Sequence, residues 1–119
     1  MNHSLSPPNK ELARRLLQMV PYRDRLPAGR LLPPLGIIPG HVRSLEEVHL
    51  LLTPDVRSLP GMNFTALADW VGRALADMEL AELIRTAVRA AGSYAEGCLR
   101  VHELVEHRLD QARKVEGIG

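Results

Sequence analysis

Cysteine and aromatic residues are scarce in this chain of 119 residues, and proline disappears after position 60. Cys98 is the single cysteine, so no disulfide can close within one chain and no four-cysteine zinc site can be built from it. The aromatics are Tyr22, Phe64, Trp70 and Tyr94, too few to form a stacking platform for single-stranded nucleic acid. No apolar run approaches the ~18 residues of a membrane span. The opening stretch Met1–Pro8 lacks the basic-then-apolar order of a secretion signal. A cytoplasmic protein that enters no membrane is therefore expected.

One-sided charge is missing as well. The net charge is +1, made up of +3 over residues 1–60 and −2 over residues 61–119. Neither balance is strong enough to steer a polyanion. Arg14, Arg15, Arg23, Arg25 and Arg30 form the densest basic group, with Asp24 inside it. The chain contains no Gly-x-x-x-x-Gly-Lys phosphate loop, no Gly-x-Gly-x-x-Gly dinucleotide turn and no Gly-x-Ser-x-Gly nucleophile turn.

What is present is ordinary globular material: 45% apolar and 24% charged residues, enough for one domain over residues 1–119. All nine prolines fall within the first 60 positions, leaving the back half free to run as long helices. Ser6 or Asn9 caps a first helix that Pro21 ends. Ser44-Leu45-Glu46-Glu47 is a capping box opening a helix through Leu52, and Thr53-Pro54-Asp55 suggests a further helical turn towards Leu59. From Phe64, two apolar stripes (Leu67, Val71, Leu75, Met78 and then Leu80, Ile84, Val88, Ala91) run out of phase by about a quarter turn. That phase slip predicts a break near Asp77, with Gly92 as terminator. Ser93-Tyr94-Ala95-Glu96 is a second capping box, starting a long helix over residues 93–115.

Residues 21–43 resist this scheme. Five prolines and three glycines forbid a sustained helix, yet Leu26, Leu31, Leu32, Leu35, Ile37 and Ile38 are too apolar for a solvated linker. The segment reads as a Pro-rich irregular strap that covers a helical core, as a stiffened arm that docks on a second subunit, or as a catalytic lid. The expected fold is all-α: a small bundle of four or five helices with this strap outside.

Three candidate sites follow. The first is a metal site at Cys98, His102 and Glu106, spaced i, i+4, i+8 on one helix. Thiolate, imidazole and carboxylate would suit Zn, Fe or haem, with His41, His49 or a symmetry mate completing the set. The alternative is a buried thiol with a boundary histidine and a solvated glutamate. His102-Glu103-Leu104-Val105-Glu106-His107 is not a zinc-protease helix, because its histidines are five apart, about 500° of rotation. Glu-x-x-His occurs only once, at Glu46–His49, short of the two that a self-contained di-iron site needs. The second candidate is an interface at Leu31, Leu32, Leu35, Ile37, Ile38 and Trp70, the surplus apolar surface of the chain. The third is a helix-turn-helix around Ala68 and Gly72. Its readout helix would carry Asp77, Glu79 and Glu82, which repel phosphate.

The function expected first is a non-enzymatic interaction or accessory protein, acting as a homo-oligomer or small subunit. A metal- or haem-binding protein using Cys98 and His102 is the alternative, and a DNA-binding regulator the third.

Overall fold

Local signals for helix starts are obeyed at Asn9, Ser44, Asp77 and Ser93, though not at Thr53. In the computed structural model, which describes residues 5–118, Asn9 accepts the Leu12 N–H at 2.8 Å and opens α1 (Lys10–Leu16). The helix closes with two tighter i−3 bonds, Leu17 N–H to Arg14 and Gln18 N–H to Arg15, ahead of Pro21. Val20 then donates to the Arg43 carbonyl instead of continuing the helix. Ser44 caps α2 (Leu45–Leu52), Asn63 caps α3 (Phe64–Ala74), Asp77 caps α4 (Met78–Ala90) and Ser93 caps α5 (Tyr94–Val115). The break predicted at Asp77 is a three-residue turn in which Ala76 is left-handed, with φ 56°. Both capping glutamates reach back one residue further than a standard box. Glu47 takes the Arg43 N–H and Glu96 takes the Gly92 N–H.

The all-α expectation is overturned. Among the described residues, five strands in two antiparallel sheets accompany five α-helices, so the fold is mixed α/β rather than an all-α helical bundle. Most of this sheet is the segment expected to be an irregular strap. β1 (Leu26–Pro27) pairs with β4 (His41–Val42), and β2 (Gly29–Leu32) pairs with β3 (Gly36–Ile38). The two pairings share one register: Leu26 faces Val42, Pro27 faces His41, Ala28 donates to Gly40, Arg30 faces Ile38 and Leu32 faces Gly36. Residues 26–42 are thus a single β-ribbon, interrupted where Gly29 meets Pro39. Pro33 and Pro34 form its turn, where the Leu32 carbonyl accepts the Leu35 N–H and Gly36 sits at φ +90°. Proline excludes helix here, but strand edges and turns accommodate it.

The helical turn expected at residues 53–59 is also absent. Asp55 and Ser58 bridge across a tight turn, with the Asp55 carboxylate holding the Arg57 N–H at 2.8 Å. The chain leaves it as β5 (Leu59–Gly61), which joins the ribbon to give a three-stranded sheet ordered β3-β2-β5. The core lies between the helices and includes Leu16, Val48, Leu67, Trp70, Ile84 and Val105, all essentially inaccessible. Among the described residues no helix is long and apolar enough to cross a membrane, and Met1–Ser4 of the opening stretch read for a secretion signal lie outside them.

Candidate functional site

Successive i+4 steps along α5 rotate by about 40°, so a ladder drifts from one face towards another. The structure follows that drift. Cys98 is 5% exposed, the His102 side chain 16% and the Glu106 side chain 62%. The Cys98–His102–Glu106 set expected from spacing is therefore split. The thiol is turned into the core, where burial raises its pKa and a hydrogen bond with the Tyr94 hydroxyl opposes the rise.

His102 and Glu106 instead meet a third side chain, His49 of α2. One ligating atom from each of His49, His102 and Glu106 lies within 4.8 Å of the other two. The His49 Nε2 is 3.3 Å from Glu106 Oε2, and the His102 Nε2 is 3.9 Å from the same oxygen. The two imidazoles stack with centroids 4.6 Å apart and planes 22° from parallel. Thr53 ends α2 over them: its hydroxyl donates to the His49 carbonyl and lies 3.5 Å from His102 Nε2. Burial pushes the His102 pKa below the ordinary range; the His49 ring pushes the same way, while Glu106 and Glu103 oppose. The rigidity comes from below, where Val48 and Leu52 of α2 and Val101 and Val105 of α5 are fully buried. His41, the other histidine weighed as a ligand, stands edge-on to Tyr22 on β4.

The second candidate site is the ribbon. Because β2 carries β3 on one side and β5 on the other, Ile37, Leu31 and Leu59 stand in one row across the sheet. Directly opposed residues share a face, so the row is a continuous apolar surface. Ile37 is 68% and Leu59 45% exposed, with Leu31 half-buried between them. Leu35, at the turn, is 74% exposed. The other face carries Ile38, Arg30 and Pro60, and there Arg30 reaches the Ser58 hydroxyl and the Leu50 carbonyl of α2. Leu32 is half-buried.

Trp70, grouped with these residues on sequence, is placed elsewhere. It is 1% exposed in the core, its indole N–H donating to the Asp24 carbonyl at 2.6 Å. The arginine group around Asp24 disperses to separate partners: Arg15 to Glu11, Arg23 to Asp24 and Arg25 over the Tyr22 ring nearby in sequence, and Arg14 to Glu116 at the end of α5. At the α3–α4 corner, Arg85 is held by Asp69 and Glu82.

Sequence reasoning missed one polar feature entirely. Arg108 of α5 is 1% exposed and forms a forked ion pair with Asp77, 1% exposed, at 2.8 and 3.1 Å. Its remaining donors reach the Ser6 carbonyl and Gln111. A lone arginine one turn beyond Leu104, inside an otherwise apolar seam, was the available signal.

Comparison with known proteins finds no matching family model, no matching curated protein and no matching solved structure. The functional reading therefore rests on the geometry of these two sites.

Proposed function

We propose that this protein is an interaction module that works as a homo-oligomer, docking through the apolar face of its three-stranded sheet. The observation that carries the reading is the in-register row Ile37–Leu31–Leu59, open to solvent and extended by Leu35. Residues 31–40 contain no charged side chain, and β3 is an edge strand. Soluble proteins usually guard such an edge with lysine or another charge, because its unpaired backbone groups invite a further strand. Here the charged guard is absent, leaving only the shortness of β3 and the adjoining Pro39, while the apolar side chains are retained. A second copy offers the same row, so a two-fold face-to-face packing buries the apolar surface of both copies at once. A different protein with an apolar edge strand would be recognised by the same chemistry.

Removing a Leu or Ile side chain from water is worth about 1.5–3 kcal/mol, so one such residue moves an association constant by roughly tenfold or more. Light scattering over a concentration series is the direct test. The unaltered protein is expected to give a mass above that of one 13.2 kDa chain. Ile37→Asp should return it to the monomer with an unchanged circular dichroism spectrum. A monomeric unaltered protein at roughly 0.5 mM, weaker than any specific micromolar association, would count decisively against self-docking.

A further inference from the structure

We propose that His49, His102 and Glu106 bind a divalent transition-metal ion of the zinc class, one per chain. This goes beyond the docking reading and uses a different part of the molecule. Two imidazoles and one carboxylate are the ligand set of borderline ions, and three protein donors leave room for solvent or a further ligand. Metal–donor bonds of about 2.0–2.1 Å at tetrahedral angles place donors roughly 3.3 Å apart. The His49–Glu106 separation is 3.3 Å, the His102–Glu106 separation 3.9 Å and every pair lies within 4.8 Å, so the set closes once the two stacked rings turn apart towards a common ion.

The scaffold favours the same conclusion. The donors come from two helices locked by apolar packing, α2 contributing His49 and α5 contributing His102 and Glu106 at i, i+4. Two of the three donors are partly shielded, with side-chain exposures of 27% for His49 and 16% for His102, while Glu106 at 62% leaves an approach from solvent. Glu103, His107, Asp110 and Arg113 line the adjoining depression; Asp110 is paired with Lys114, so the negative field that an arriving cation meets there comes from Glu103 and Glu106. Oxygen-seeking ions such as Mg²⁺ and Ca²⁺ require more carboxylates and carbonyls than the cluster supplies. Cys98 is not a ligand, because its thiol is turned into the core beside Tyr94.

The test uses full-length protein without a histidine tag, stripped with chelator and titrated calorimetrically with zinc chloride. Cobalt(II) absorption serves as a second readout. Saturable binding of one ion per chain is expected, undisturbed by excess Mg²⁺. His102→Ala and Glu106→Gln should each weaken it roughly tenfold or more, since even outer-shell changes around bound metals cost that much. Glu106 is exposed, so its variant remains informative should His102→Ala not fold. Cys98→Ser should leave the affinity within about twofold, as expected for a residue outside the ligand set. Absence of saturable binding, half an ion per chain, indifference to Glu106→Gln, or loss of binding in Cys98→Ser would each overturn the assignment.

Discussion

Arg108 and Asp77 show how far a single residue's role depends on partners distant in sequence. Asp77 was legible as a helix cap, and it does accept the Leu80 N–H at 3.0 Å. Its second task was hidden, because Arg108 lies 31 positions away and the pairing exists only once α4 packs on α5. Burying two charges is costly, and the cost is offset only when each remaining polar atom is also satisfied. The structure meets that condition: Arg108 adds the Ser6 carbonyl and Gln111 to its two bonds with Asp77. Arg108→Ala would strand the Asp77 carboxylate in the core. Loss of about 3–5 kcal/mol of unfolding free energy is expected from urea denaturation, the range for breaking one side of a buried pair. A change below about 1 kcal/mol, the scale of an exposed pair, would show that water reaches this site. The histidine cluster was legible by the same measure only in part. His102 and Glu106 were named from spacing, and His49 only as one of two histidines able to join them. Cys98 lies apart from them, because about 40° of drift per step leaves the ladder's first member inside.

At the scale of elements, capping signals held at four positions and failed at Thr53-Pro54-Asp55, and proline proved ambiguous. Asn9, Ser44, Asp77 and Ser93 each start a helix where their side chains predict one. These are local hydrogen bonds, settled within four residues. Residues 26–42 are different, because excluding helix does not choose between irregular chain and strand. The choice was made by pairing at a fixed register, with prolines placed at the turn, at edges and at the interruption, and β5 arriving from beyond α2 to close the sheet. Nothing local announced that third partner. The interruption itself is tightly fitted. A Cβ added at Gly29 would sit 2.2 Å from the Ile38 carbonyl oxygen and 3.3 Å from the Pro39 Cα, all backbone atoms that cannot turn aside. Gly29→Ala therefore forces the ribbon apart at its bend, and about 1–3 kcal/mol of destabilisation is expected, typical of overpacking. A thermal midpoint unchanged within about 1 °C, far less than even 1 kcal/mol produces in a domain this size, would mean that the two halves of the ribbon separate freely.

Across the whole molecule, the described N-terminal segment ties together helices that are remote in sequence. Leu5 is 7% exposed and packs in the core, while its carbonyl accepts from Gln111 of α5 at 3.0 Å. Ser6 bonds Glu79 of α4 through both its N–H and its hydroxyl, and its carbonyl takes an Arg108 donor at 2.6 Å. A few residues thus complete the polar network that encloses the Asp77–Arg108 pair and seal one end of the α4–α5 contact. Deleting residues 1–8 removes the Leu5 side chain, worth about 1.5–3 kcal/mol of burial. It also leaves a buried guanidinium short of one acceptor, a further ~1–3 kcal/mol. The combined loss should be about 3–5 kcal/mol, less any gain from water entering to replace Ser6. Because the deletion and Arg108→Ala act on one network, the double variant should lose clearly less than the sum of the two single losses, by roughly 0.5–3 kcal/mol of coupling. Urea melts of the four proteins measure that difference directly. Strict additivity would mean that the N-terminal segment contributes apolar burial alone and leaves the ion pair as well satisfied without it.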